Sequence, residues 1–300
     1  MGWEHAPQVN VPDVALLFEG GGMRCTYTAG IVNMLIENGI HFGHVYGISA
    51  GASSSGNYLG GDTEYARNSF VDLGKDKRTG GWGMFLRHKG YFNAEAIYQT
   101  GILPGGAGPY PYQEVLDNPT KMTIAAFARD TGETVTFTKD DFGTPEKLMI
   151  RIRASSTMPM LMPPPCIDGT YYYDGGLGDG AGILLPHAKR DGFKRFFVVR
   201  TRPKGYRKGP QEMAGLLKLF FWRRPKVVEA LFNRQERYNA LCDELEELEE
   251  QGAALQVYAE DSTLSSGTLD YDELARNYQA GYAQAQRQVG EWKRWLGLPD

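Results

Sequence analysis

The chain begins its regular pattern with a continuous apolar run, Val14-Ala-Leu-Leu-Phe18, that breaks into Glu19-Gly-Gly-Gly22. A short unbroken run ahead of glycines predicts a buried strand followed by a tight loop. From Thr26 to Glu37 the apolar positions Ile31, Leu35 and Ile36 share one side at helical spacing, and Asn38-Gly39 supplies a stop, so a helix is expected. His44–Ile48 predicts a second short strand, running straight into Ser49-Ala-Gly-Ala52 and a small-residue helix toward Leu59. Residues 62–120 are rich in glycine and punctuated by proline; they read as an irregular insertion with short helices at Tyr65–Leu73 and Ala94–Gln99. Thr123–Phe127 and Glu133–Thr138 flank Arg129-Asp-Thr-Gly132, the pattern of a β-hairpin. Leu148–Ile152, Tyr171–Tyr173, Arg195–Thr201 and Leu255–Ala259 are read as further strands. Near the end Tyr271, Leu274, Tyr278, Tyr282, Ala285, Val289, Trp292 and Leu296 fall three and four apart, so a helix over about 270–296 presents one face to the core. Strands alternating with helices, without a repeat or a low-complexity linker, predict one α/β domain over residues 14–300 behind an arm at 1–13. Its sheet is expected to be mainly parallel and to lie between helical layers.

Composition leaves that picture standing. Three hundred residues, 42% hydrophobic and 23% charged, exclude a mainly disordered chain. No stretch approaches the ~20 apolar residues of a spanning helix, and the opening residues lack the basic and apolar regions of a signal peptide. Cys25, Cys166 and Cys242 are odd in number and far apart, which argues against a disulfide framework and suits a reducing cytoplasm. The net charge of −4 excludes a globally basic nucleic-acid binder but hides an asymmetry. From His187 to Arg237 there are 15 Lys and Arg against 4 Asp and Glu; from Tyr238 to Asp300 there are 4 against 13.

Gly47-Ile-Ser-Ala-Gly51 places Ser49 where a strand turns sharply into a helix, with glycine on either side to relieve crowding. That arrangement exposes a hydroxyl above the sheet and makes Ser49 the leading nucleophile. The amides of Gly20-Gly-Gly-Met-Arg24 are suited to a developing oxyanion. A dinucleotide loop is disfavoured, because G-x-G-x-x-G would require glycine where Cys25 stands. Asp174, ahead of Gly175-Gly176, is placed to act directly on the serine; His187 follows in the order a triad would require, so both bases stay open. No cofactor or metal is expected. Met158–Pro165 offers flexible apolar side chains for an acyl pocket or for the core. Met213–Trp222 with Arg223-Arg224 reads either as a buried helix with a solvated basic end or as a helix lying on an anionic membrane. Arg202, Lys204, Arg207 and Lys208 are candidates for phosphate head groups.

The glycine loop, the G-x-S-x-G and the Asp-Gly-Gly in this order resemble the bacterial branch of the patatin-like phospholipase family, Ser-Asp dyad lipid acyl hydrolases. Phe18–Gly30, Gly47–Ala52, Ala154–Pro159, Tyr173–Leu177 and Thr201–Lys208 all share in the resemblance. It implies a three-layer α/β/α sandwich and a cytoplasmic phospholipase or esterase that acts on lipid esters, with peripheral contact at an anionic membrane. It also implies Ser49 as nucleophile, Asp174 as base, the amides of Gly20, Gly21, Gly22 and Met23 as the oxyanion region, Arg24 as support for that loop, and Gly47 and Gly51 as the elbow. Cys25 departs from the glycine usual in the family and raises the prospect of a crowded loop. The other readings are an esterase or thioesterase with a His187-assisted triad, and a non-catalytic lipid-binding protein.

Overall fold

The computed structural model of the chain describes residues 7–75, 78–81, 91–94, 97–98, 110–211, 214–262 and 264–299. Among them are strands β1 (Val11–Phe18), β2 (Phe42–Ile48), β3 (Lys121–Ala128), β4 (Thr134–Thr138), β5 (Cys166–Ile167), β6 (Thr170–Asp174), β7 (Arg195–Val199) and β8 (Ala254–Val257). They form one sheet in the order β5-β6-β3-β2-β1-β7-β8, with β4 also on β3. The pairs from β3 through β2, β1 and β7 to β8 are parallel, while β4 and β6 run antiparallel to β3.

Side chains alternate along β1 and so feed two cores. Val14, Leu16 and Phe18 pack with α1 (Cys25–Glu37), α2 (Ala50–Gly60), α5 (Pro145–Ser156) and α9 (Tyr271–Leu296). Ala15 and Leu17 face the other way, onto α6 (Leu185–Arg190) and α8 (Pro225–Glu250). The result is three layers, α/β/α. The first layer also holds α3 (Thr63–Val71) and α4 (Tyr112–Asp117). Its α1 and α9 lie almost backbone to backbone: a Cβ on Gly281 would stand 2.2 Å from the Tyr27 carbonyl oxygen, and one on Gly30 2.4 Å from the Tyr282 nitrogen. The stripe on α9 docks as its spacing requires, with Trp292 buried edge-on against Phe197 of β7.

The hairpin, the helix that stops at Asn38-Gly39 and the small-residue helix after Ser49 stand where the pattern puts them. Leu148–Ile152 does not: it lies inside α5 rather than in a strand. Thr144 caps that helix through its hydroxyl (3.3 Å from the Lys147 amide) and Pro145 opens it, a start signal that outweighs a short apolar run. Pairing of β1 with β2 already starts at Val11, inside the stretch expected as an arm. Much of the segment Ala94–Gln99 falls outside the described residues, as does Met213. Among the described residues no helix is long and apolar enough to cross a membrane.

The basic stretch and the acidic tail meet. Lys189 pairs with Glu244, Lys204 with Glu249 (3.2 Å), and Arg207 with both Asp243 and Glu246 (2.6 and 2.7 Å), all four carboxylates on α8. Part of the sequence asymmetry is therefore cancelled within the fold. The segment Met213–Trp222 also departs from a buried helix. In α7 (Ala214–Phe220) and the turn after it Leu217 and Phe221 are buried, but Leu216, Leu219, Phe220 and Trp222 are exposed.

Candidate active site

The strand β3 acts as a ruler. On one edge it pairs with β4; on the other it carries β2 and then β6, end to end, with Ile48 opposite Ala125 and Asp174 opposite Ala126. Ser49 follows Ile48 directly, so the register alone brings the serine and the aspartate to adjoining positions at one end of the sheet.

Ser49 is held at φ 58°, ψ −131°, a left-handed region that costs a non-glycine residue roughly 1–3 kcal/mol. The surroundings impose it. Its N–H donates to Ser155 Oγ (2.9 Å), and its carbonyl accepts from Ala52 as α2 begins. A Cβ on Gly47 would lie 2.3 Å from the Gly51 carbonyl oxygen, and one on Gly51 2.3 Å from that of Phe18. Both glycines are thus sterically required, because α2 leaves the sheet across the backbones of β1 and β2. Asp174 is buried, its N–H donates to the Thr157 carbonyl (2.8 Å), and its Oδ1 accepts from the Gly176 N–H (2.8 Å). The end of α5 and the residue after it therefore fasten both residues, Ser155 through its hydroxyl and Thr157 through its backbone. Sequence reasoning missed this clamp, since a strand at Leu148–Ile152 leaves 155–157 in a loop. Ser155→Ala is expected to lower kcat about 10-fold with an unchanged far-UV spectrum, the worth of one hydrogen bond holding the elbow; unchanged kcat would show the clamp to be idle.

No hydrogen bond joins the Ser49 hydroxyl to the Asp174 carboxylate in this structure. In unliganded sites such pairs are often long and close when substrate binds. His187 is not brought to the serine. It sits on α6 in the layer on the other side of the sheet, buried, with Nδ1 unpartnered and its pKa lowered by burial and then by Arg190.

The glycine loop presses on the elbow: a Cβ on Gly20 would stand 2.9 Å from the Ile48 carbonyl oxygen and 3.1 Å from the Ser49 Cβ. Two of the four amides expected to face an oxyanion are already spent. The Gly20 N–H donates to the Gly182 carbonyl (3.0 Å) and that of Met23 to the Ser266 carbonyl (3.1 Å). Among the described residues the N–H groups of Gly21 and Gly22 donate to nothing. Gly22 has φ +57°, and a Cβ there would lie 2.5 Å from the Ser266 carbonyl oxygen, so the turn needs glycine. The Arg24 N–H closes on the Gly21 carbonyl, while its side-chain Nε is buried without a partner. Cys25 does not distort the loop. It has ordinary helical dihedrals, packs with Ala29, Val71 and Tyr278, and burial pushes its thiol up to about 12.

Behind the loop lies a buried ion pair that the sequence pattern did not reveal. Glu19 and Arg200 each follow a central strand, β1 and β7, whose last residues Phe18 and Val199 are paired. Glu19 Oε2 accepts from Arg200 Nε (3.0 Å) and the Thr201 N–H (2.7 Å), and Oε1 from the Tyr238 hydroxyl (2.5 Å). Arg200 also donates to Gln256 Oε1 (2.6 Å). Thr201 Oγ1 then donates to the Gly20 carbonyl (3.1 Å), tying the network to the loop.

Beside Ser49 opens a cavity of about 340 Å³, lined by Gly22, Met23, Ser49 and apolar side chains that include Phe70, Tyr98, Ile152, Met158 and Met162. Two methionines of the Met158–Pro165 stretch thus face the cavity. A hydroxyl at its wall, two open amides and an adjoining buried carboxylate suit attack on a carbonyl whose chain is apolar.

The family model described as patatin-like phospholipase matches residues 16–186, and one described as a domain of unknown function (DUF6363) matches residues 224–297. The uncharacterized protein YjjU of Escherichia coli K12 is 27% identical over 209 residues, 66% of this chain and 54% of that protein. The chain spans about half the length of that relative. Human GIVD cytosolic phospholipase A2 superposes with a TM-score of 0.50 at 11% identity, covering 96% of this chain and 60% of that one, and so shares the fold. VipD from Legionella pneumophila gives 0.49 at 13% identity over 93% of this chain and 67% of its own.

Proposed function

The chain belongs to the patatin-like phospholipase family, and from that membership we propose that it is a serine lipid acyl hydrolase working through Ser49 and Asp174. The observation that carries the reading is the register of β3, which sets a buried carboxylate beside a strained serine that lines a mainly apolar cavity. As Ser49 Oγ bonds to the acyl carbonyl carbon, its proton passes to Asp174 and the carbonyl electron pair moves onto oxygen, where the Gly21 and Gly22 amides receive it. Collapse breaks the ester C–O bond; the departing alcohol takes the proton from Asp174 and leaves an acyl-serine. Water then repeats the sequence and frees the fatty acid. The acyl chain lies in the cavity between α2, α3 and α5. Fatty-acid release from a panel of lipid esters, together with labelling by a fluorophosphonate, tests this: a folded protein that neither labels nor cleaves any of them sinks it.

The exposed apolar group of α7 supports contact with a membrane. Leu217 and Phe221 anchor α7 against Tyr173 and Leu177, on either side of the Asp174 turn, while Leu216, Leu219, Phe220 and Trp222 face outward. Lys218 and Arg223 flank them, as in helices that rest on an anionic surface. Leu219→Ser with Trp222→Ser is expected to weaken binding to vesicles containing phosphatidylglycerol at least about 10-fold, from the lost apolar burial. Arg224 and Lys226 next to them are paired with Asp130 and Glu229, so added salt should matter less than this truncation. The reverse order would shift the contact to charge alone.

A further inference from the structure

Several cations of the basic stretch are answered by carboxylates; four around the glycine loop are not. Lys189, Lys204 and Arg207 pair with α8, Arg195 with Asp13, and Arg224 with Asp130. Arg24, Arg202, Lys208 and Arg234 have no carboxylate within ion-pair reach among the described residues. They come from three segments, the glycine loop (Arg24), the stretch after β7 (Arg202 and Lys208) and α8 (Arg234), and gather beside the glycine loop, none of them lining the acyl cavity.

The convergence is built. The backbone of Lys208 is laced to α8, its N–H donating to Asn239 Oδ1 (2.8 Å) and its carbonyl accepting from Asn239 Nδ2 (3.1 Å). Its ammonium stands 5.3 Å from the centre of the Tyr238 ring, whose hydroxyl belongs to the Glu19 network. The Arg202 guanidinium stacks 4.3 Å over Tyr206, which in turn meets Tyr238 edge-on. Arg234 Nη2 lies 2.7 Å, and Asp174 Oδ1 2.9 Å, from the point a Cβ on Gly176 would occupy, so the guanidinium and the carboxylate both approach the turn at this glycine. The Nε atoms of Arg24 and Arg234 are both buried without a partner. Burial, then Arg234, Arg202 and Arg24, hold Lys208 down to about 8. Burial and Arg202 likewise lower Arg24. Like charges gathered in a partly desolvated place repel one another and leave donors unfilled, a cost that an anion between them removes.

We propose that Arg24, Arg202, Lys208 and Arg234 form a binding site for a phosphate group, placed so that a lipid whose acyl chain fills the cavity sets its phosphate here and its ester carbonyl between, at Ser49. As a head-group site this rests on the acyl hydrolase reading; as a phosphate site it stands on the cluster alone. It gives the segment 224–297 a part in the site, since α8 supplies Arg234 and the residues that seat Lys208.

The test compares oleoyl glycerol phosphate with monooleoylglycerol, each in neutral detergent micelles, and titrates inorganic phosphate separately. The wild type is expected to prefer the phosphorylated ester in kcat/KM by about 10-fold or more. That ratio should fall toward unity in Arg234→Gln with Lys208→Gln, and inorganic phosphate should bind this variant about 10-fold more weakly, the scale of a lost charge-assisted hydrogen bond. Arg202→Gln replaces the pair if the double variant fails to fold. Weakened phosphate binding without a preference between the esters keeps the site and assigns it to free phosphate. Equal phosphate affinity in wild type and variant, with the two esters treated alike, overturns it. A folded wild type that cleaves neither ester fails the hydrolase reading alone, and the calorimetric phosphate titration still decides the site.

Discussion

Ser49→Ala is expected to remove at least about 10⁴-fold of kcat/KM on lipid esters and all fluorophosphonate labelling, because among the described residues no other hydroxyl lies at an elbow of this geometry against open amides. Asp174→Asn should cost about 10³–10⁴-fold. The two losses arise differently. Alanine deletes the atom that forms the acyl bond, whereas asparagine keeps the shape of the aspartate and the oxygen that accepts from the Gly176 N–H (2.8 Å) but can no longer take the serine proton. The fold should survive both, since the Ser49 and Asp174 N–H groups bond to Ser155 and Thr157 whatever side chain they carry. Circular dichroism and the thermal midpoint check that point. Ser49→Ala that still labels would move the nucleophile elsewhere; Asp174→Asn with near-native turnover would make Asp174 a structural residue of its turn.

The parts of this site legible in the sequence are those enforced by sterics over a few residues. Gly47, Ser49 and Gly51 announce themselves because α2 crosses the strands so closely that a Cβ at either glycine would meet a carbonyl oxygen. Asp174 with Gly175 is similar: a Cβ on Gly175 would stand 2.1 Å from the Ala125 carbonyl oxygen. What escaped sequence reading depends on partners far along the chain. Glu19 and Arg200 are separated by nearly two hundred residues and read singly as ordinary charges, yet strand pairing makes them neighbours. Which loop amides are free was equally hidden, since Gly182 and Ser266 consume those of Gly20 and Met23. The charge asymmetry was visible, but its cancellation was not, because it needs α8 to fold back along the segment that follows β7. A local pattern reports local sterics; pairing between distant charges is a property of the topology.

That topology makes the Glu19–Arg200 pair the other place where one substitution should have a large effect. Both side chains are almost wholly buried, so removing either leaves an uncompensated charge, and Glu19→Gln or Arg200→Met is expected to cost about 3–5 kcal/mol in urea unfolding. Replacing both removes the stranded charge as well, so the double variant should lose clearly less than the two single losses together. Strict additivity would refute the coupling. The pair also sets an acid limb. Burial by itself would push the Glu19 carboxyl up, but Arg200, the Tyr238 hydroxyl and the Thr201 N–H outweigh it and hold its pKa below the usual glutamate value. A group with a lowered folded pKa gives its full stabilisation above the unfolded pKa and loses it as pH falls through the folded one. The stability of the wild type should therefore fall as pH drops below the ordinary glutamate range, and Glu19→Gln should flatten that part of the curve. Because Thr201 links Glu19 to the Gly20 carbonyl, the surviving folded fraction of each single variant should also turn over more slowly. Full specific activity per folded molecule would mean that the network supports the sheet and not the oxyanion loop.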